Sequence, residues 1–409
     1  MKAVVYDFSV PKYLAAKAMG KRFPSLYYGK PSALSFKKMP EPDLPNEDWI
    51  KIKPIYSGLC GSDMGAIFYN TSPVLTPFNS FPSVMGHETV GYITEVGKNI
   101  KDLKVGQRVT VDPYINCEVR GIRDLCPACE QGLQSLCRNK AGSKAFGPGM
   151  ILGFTSDLPG TWSEALVAHR SMVIPLPEEV SDKVGALFEP LSVGLHAVLR
   201  QVPKDGEHVL VIGGGMIAYT VIAAIRLLGI DCHITQMSLL DYQKQVGLRL
   251  GVNEGVINKT ELKDVLLSLP QTESYEPVIG EEVYLGGFDS VFDCIGVENT
   301  VQTALDVAKE RGKITLVGCA GEMKQMDWTF VWANELSIVG THAYAKKEVW
   351  QDEEYSTQEL LIKLIQENPD YPLEELITHE YPLKKYKKAI KTNIDREKYK
   401  SVKVLFRIT

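Results

Sequence analysis

Three short stretches carry residue types that bind a reactive metal: Cys60-Gly61-Ser62-Asp63, Gly86-His87-Glu88 and Glu189-Pro190. A thiolate, an imidazole and carboxylates form the ligand set zinc takes when it is catalytic, because three protein ligands leave one position for water or a substrate oxygen. Cys60, His87, Glu88 and Glu189 are therefore candidate ligands. Ser62, two residues from Cys60, is placed to take a proton from a bound oxygen. Each residue alone also has an ordinary reading: a lone cysteine is usually a small buried hydrophobe, and His-Glu pairs are common on surfaces.

A second group is closed rather than open. Four of the eight cysteines, Cys117, Cys126, Cys129 and Cys137, fall within twenty-one residues. Cys126-x2-Cys129-x7-Cys137 suits a tetrahedral site, and Cys117 supplies a fourth thiolate. Four thiolates leave no open position, so this zinc is expected to be structural. The eight residues between Cys117 and Cys126 must fold back for the fourth ligand to arrive.

The elements that must position these groups change character along the chain. Up to about residue 111 the patterns are those of strands. Ala3-Val4-Val5-Tyr6, the alternating Trp49–Ile55, Val90–Gly97 and Arg108–Val111 predict one barrel-like β domain punctuated by glycines. Residues 9–35 show no periodicity and read as an irregular insertion, and 70–82 as a loop. Around 180–200 apolar residues recur every three to four positions, with Glu189-Pro190 inside the run. A proline removes a backbone donor, so a helix is expected to start afresh there, with Glu189 at its N-terminus.

From 207 to 345 strands and helices alternate, which predicts a doubly wound parallel sheet. Val209–Ile212 is a buried strand, and Gly213-Gly214-Gly215-Met216-Ile217-Ala218 follows it directly. Gly213 permits a tight turn, Gly215 lets a pyrophosphate approach the backbone, and Ala218 allows close packing at a helix N-terminus that attracts phosphate. This turn, with Ser238, Cys294 and Val317 near the ends of later strands, forms the candidate cofactor contact. The second strand is expected to end near Gln236–Ser238, where no acid stands to bind a ribose hydroxyl. Ser238 tolerates a 2′-phosphate and Lys244 is near in sequence, so the reading leans toward NADP.

Taken together, these motifs resemble the zinc-dependent medium-chain dehydrogenase/reductases, the alcohol and polyol dehydrogenase superfamily. The resemblance runs from Met1-Lys2-Ala3-Val4 through Gly58–Asp63, Gly86–Glu88, the cysteine lobe and the glycine turn to the closing strand Val402–Phe406. It implies a GroES-like catalytic domain over 1–190 with its lobe at 117–137, a Rossmann domain over 191–345, and a return to the catalytic domain over 346–409. It makes Cys60 and His87 direct zinc ligands, Glu88 a ligand or near-ligand, and Asp63 their support. Glu189 matches the Glu-Pro variant of the sorbitol- and threonine-dehydrogenase-like branches.

The implied chemistry is zinc acting as a Lewis acid on an alcohol oxygen, Ser62 relaying the proton, and hydride passing to NAD(P). The family's relay histidine, five residues after the first cysteine, is replaced by Gly65, and its usual two-residue first gap in the lobe is here eight. Homodimers or homotetramers are the implied assemblies. Two other readings are a zinc-free NADPH-dependent reductase of activated alkenes and a nucleotide-binding protein without turnover.

Composition sets the remaining bounds. Apolar residues at 44% and charged residues at 23% are those of a globular chain, and a net charge of −5 argues against nucleic acid or an anionic membrane as partner. The first residues lack the apolar core of a signal peptide. Clustered cysteines without such a signal point to metal binding in a reducing cytoplasm.

Overall fold

The computed structural model describes residues 1–408 and divides them into two compact units. The first comprises Met1–Glu189, Ala345–Gln358 and residues 377–408, and the second Pro190–Tyr344 and Glu359–Leu376.

The first unit is built on a seven-stranded sheet. Its central strand Trp49–Gly58 alternates buried and accessible residues as the Ile50/Lys51/Ile52/Lys53 sequence dictates. Antiparallel partners flank it: Thr89–Val96 on one side, with Ser57 opposite Thr89, and Lys403–Arg407 on the other, with Gly58 opposite Leu405. The last strand of the chain is thus a direct neighbour of the strand that leads to Cys60. A smaller sheet pairs Lys2–Tyr6 with Leu34–Lys38 and Ser83–Val84. Trp162 is fully buried beneath the site. Its Nε1 donates to the Gly58 carbonyl at 2.9 Å and its ring meets Phe406 edge-on at 4.8 Å. A Cβ on Gly86, whose φ is +87°, would fall 2.1 Å from the indole, so that turn requires glycine.

The insertion at 9–35 is more regular than its sequence suggests. It holds a helix, Val10–Met19, opened by Pro11 and closed by Gly20, and a turn of helix at Ser25–Tyr28. Only Ala16 of the longer helix is buried, and Val10 and Leu14 are exposed, so no apolar stripe marks it. It is held by rings instead: Tyr13 meets Tyr69 edge-on at 5.2 Å, and Tyr27 lies 4.7 Å from Phe68. The 70–82 loop contains a 3-10 turn, Pro73–Phe78.

The second unit is a six-stranded, all-parallel sheet. In chain order its strands are β1 (His208–Ile212), β2 (His233–Met237), β3 (Glu254–Val256), β4 (Phe288–Asp293), β5 (Ala308–Leu316) and β6 (Ser337–Gly340). Their spatial order is β3-β2-β1-β4-β5-β6. The order reverses between β1 and β4, which is where such sheets bind nucleotides. The apolar run from Val209 to Ile225 resolves into β1 and the helix Met216–Leu227, and no described helix is long and apolar enough to cross a membrane.

Two features of this unit lie outside the sequence reading. A hairpin, Glu273–Tyr275 with Val283–Leu285, follows the helix Lys259–Ser268. Residues 359–376 join the second unit instead of returning to the first. The helix Thr357–Glu367 buries Leu360, Leu361 and Leu364, and Tyr371 donates to the Leu250 carbonyl at 2.7 Å.

Trp162→Ala is expected to destabilise the first unit by about 3–5 kcal/mol, and Trp162→Phe, which keeps most of the packing, by clearly less. Chemical denaturation checks both values.

Candidate metal and nucleotide sites

The strand Trp49–Gly58 delivers the chain to Cys60, which caps the helix Gly61–Ile67. Asp63, fully buried in the first turn of that helix, accepts from the Cys60 backbone N–H at 3.0 Å through Oδ2. Its other oxygen lies 3.5 Å from His87 Nδ1. A carboxylate facing Nδ1 leaves Nε2 for a metal, the usual arrangement behind a histidine ligand. Ser62 Oγ lies 3.4 Å from that Nε2. Ligand atoms of Cys60, His87 and Glu88 come within 4.8 Å of one another. Burial opposes charge on His87, but Asp63 and Cys60 outweigh it and raise its pKa well above the ordinary value.

Glu88 has a partner that sequence reasoning missed. Its carboxylate forms an ion pair with Lys403 Nζ, and both side chains are almost wholly shielded, at 0% and 2% exposure. Burial would lower the Lys403 pKa, yet Glu88 and Cys60 raise it. The pair crosses at Gly58: a Cβ there would stand 1.6 Å from Glu88 Oε2 and 3.0 Å from Lys403 Cε. Glu88 Oε1 keeps no hydrogen-bond partner.

Glu189 lies in the first turn of the helix Phe188–Arg200. Burial pushes its carboxyl up to about 7, with His87 pulling down and Glu88 pushing up. Phe154, also unforeseen, sets its ring 6.2 Å from that of His87. Of the aromatics between residues 60 and 165, Trp162 is core, Phe68, Tyr69 and Phe81 belong to the aromatic packing around Tyr6, and Phe78 sits under Lys140.

The four lobe cysteines converge. Cys117 Sγ lies 3.7 Å from Cys137 Sγ, and Cys126 Sγ 4.0 Å from Cys137 Sγ. Tetrahedral zinc with Zn–S near 2.3 Å requires sulfurs about 3.8 Å apart. Donors already point at these sulfurs: Cys126 N and Asn139 Nδ2 at Cys117, Arg138 N at Cys126, and Asn139 N at Cys137. Burial pushes Cys137 up to about 11. At Cys126 burial is outweighed by the Arg138 and Cys129 donors, which bring it down to about 6. A divalent cation supplies the charge that four ionised thiols need, and both clusters fit zinc.

In the second unit the expected cofactor residues share the C-terminal edge of the sheet. Gly213 follows β1, Ser238 follows β2, Cys294 follows β4 and Val317 follows β5. Gly213, with φ +143°, holds its would-be Cβ 3.1 Å from Ala218 and 3.3 Å from Cys294. Gly214 makes room for Gln243, Gly215 caps the helix, and Met216, Ile217 and Ala218 form its first turn. Ser238 is buried and its Oγ has no hydrogen-bond partner. Lys244 does not turn toward it: its Nζ lies 4.0 Å from Glu261.

Comparison with known proteins agrees with this geometry. Residues 46–178 match the alcohol dehydrogenase GroES-like domain, and 217–359 the zinc-binding dehydrogenase domain. A sorbitol dehydrogenase of Arabidopsis thaliana is 31% identical over 75% of this chain and 76% of its own length. An L-threonine 3-dehydrogenase of Shewanella putrefaciens is 28% identical over 86% and 90%. The crystal structure of galactitol-1-phosphate dehydrogenase from Escherichia coli superposes with a TM-score of 0.74 at 22% identity, covering all of both chains. The chain belongs to the zinc-type medium-chain alcohol and polyol dehydrogenases. It is an oxidoreductase of alcohols or polyols with zinc and NAD(P) as cofactors.

Lys403→Met leaves the Glu88 carboxylate buried without its cation, an expected loss of about 3–5 kcal/mol. Adding Glu88→Gln should recover much of it. Denaturation of both variants checks this, and wild-type stability in Lys403→Met would contradict it.

Proposed function

We propose that the Cys60 cluster is the catalytic centre and the cysteine lobe the structural one. Cys60 and His87 hold the catalytic zinc with Glu189 as third protein ligand, while Glu88 stays paired with Lys403 beside it. The observation that carries this is the contrast between the two glutamates. Glu88 already has a cation in Lys403, whereas the Glu189 carboxyl is pushed up to about 7 by burial, and a divalent metal would supply its missing charge.

When bound, zinc supplies Lewis acidity toward the oxygen of the alcohol or carbonyl. The protein's own groups do the rest. Asp63 fixes the His87 ring and, through the Cys60 N–H, the start of the helix. Ser62 takes the hydroxyl proton. Gly65 offers no imidazole behind it, so the proton leaves to water over the accessible face of that helix. Gly213–Ala218 and the helix N-terminus seat the pyrophosphate, with Cys294 and Val317 at neighbouring strand ends. The substrate is a small primary or secondary alcohol or polyol, or the matching carbonyl compound.

The cofactor reading favours NADP, because Ser238 offers an unpaired hydroxyl and no acid stands within Gln236–Ser238 at the end of β2. The reading of a homo-oligomer rests on β6, an edge strand with unpaired backbone groups, preceded by Trp332 at 75% exposure. Four adjacent cysteines suited to a metal fit a reducing cytoplasm.

Ser62→Ala is expected to lower kcat for alcohol oxidation about 10²-fold or more with zinc content unchanged. Steady-state kinetics and elemental analysis check this, and a rate within threefold of wild type would remove Ser62 from the relay. The KM for NADP is expected to lie below that for NAD; a strong preference for NAD would contradict the reading of Ser238.

A further inference from the structure

The enlarged gap between Cys117 and Cys126 carries a residue that neither metal site explains. Arg120 is 2% exposed, one of the largest fully shielded side chains in the protein. Its guanidinium spends its donors on main-chain carbonyls. Nε donates to Ile115 at 3.2 Å, Nη1 to Phe146 at 3.2 Å and Gly147 at 3.0 Å, and Nη2 to Lys140 at 3.4 Å and to Gly149. Ile115 lies on the segment entering the lobe, and the other four lie on the segment leaving it. The two stems also pair directly, Ile115 N with the Met150 carbonyl at 2.9 Å and Leu152 N with the Pro113 carbonyl at 2.9 Å. Arg120 therefore spans the base of the lobe. Burial disfavours its charge, and the negative groups that offset this are Cys137, Asp157 and Cys117, two of them lobe thiols.

The exit segment runs on to the catalytic pocket. Phe154 faces His87, Ser83 Oγ donates to the Gly153 carbonyl at 3.0 Å, and a Cβ on Gly153 would lie 2.8 Å from the Gly86 carbonyl. A fork of five donors on one rigid cation has the geometry to hold several carbonyls at once, which a lysine lacks.

We propose that Arg120 is a positioning residue that makes the His87 wall depend on metal in the cysteine lobe. Bound zinc draws Cys117 into place, Cys117 sets the turn that carries Arg120, and Arg120 holds 140–149 and so the backbone leading to Phe154. The proposal rests on the reading of the lobe as a zinc site.

Hydrogen exchange by mass spectrometry on the zinc-loaded full chain tests it, with Arg120→Met, Cys129→Ser and the double variant. Each single change is expected to speed exchange in 146–155 at least tenfold, and the double variant to exchange no faster than the faster single. Unchanged protection in Arg120→Met, or effects that multiply in the double variant, would overturn the proposal. Should Arg120→Met fail to fold, Cys129→Ser alone decides, because protection of 146–155 that survives loss of lobe metal excludes the coupling. Zinc counted on the same samples separates the failures. A count that Cys129→Ser leaves unchanged removes the reading of the lobe, and the proposal with it.

Discussion

Glu88 and Lys403 bring opposite charges into a place almost without solvent, and the strands of the first unit that meet there are arranged to keep them together. Neither charge is tolerable alone at that depth. Their strands must therefore flank a third, and the third must present glycine where the pair crosses. Gly58 meets that demand and is followed at once by Leu59 and Cys60. The Cys60 side chain thus emerges where Glu88, and His87 beside it, are already fixed. Lys403 opens the strand Lys403–Arg407, the last strand of this sequence. The strand Lys403–Arg407 is consequently part of the candidate metal site as well as of the sheet.

Much of this was legible in sequence where spacing is local. Cys60, Ser62, Asp63, His87 and Glu88 lie in two short motifs, and the glycine turn follows a strand of continuous apolar residues. Helix restart at Glu189-Pro190 follows from proline's missing donor. Lys403 was invisible because nothing in Val402–Phe406 shows that its lysine points inward; only pairing with a strand some 350 residues earlier does so. Phe154 was invisible because a loop residue's ring meets His87 only through a tertiary contact that spacing does not show. The 9–35 helix escaped because aromatic contacts hold it in place of an apolar stripe, and the 273–285 hairpin because its strands are only three residues each.

The two metal clusters use opposite electrostatic designs. At Cys60 the surrounding groups are mixed, with carboxylates, an imidazole and an ammonium, and a hydroxyl stands beside the ligand ring. At the lobe N–H donors point at the sulfurs of Cys117, Cys126 and Cys137, and the Arg120 guanidinium is buried nearby. On the proposed reading, the first arrangement would leave a position for substrate, and the second would offer four closed ligands to a structural ion. The parallel sheet contributes separately: the reversal between β1 and β4 opens its C-terminal edge, and Gly213 keeps that edge clear of side chains.

The division of labour between the clusters is tested most directly by counting zinc per chain in the wild type and in Cys60→Ala, alongside NAD(P)-linked alcohol oxidation. The expected result is two ions falling to one, with oxidation abolished. A count that stays the same while oxidation continues would contradict the catalytic assignment and leave the Cys60 cluster without its metal.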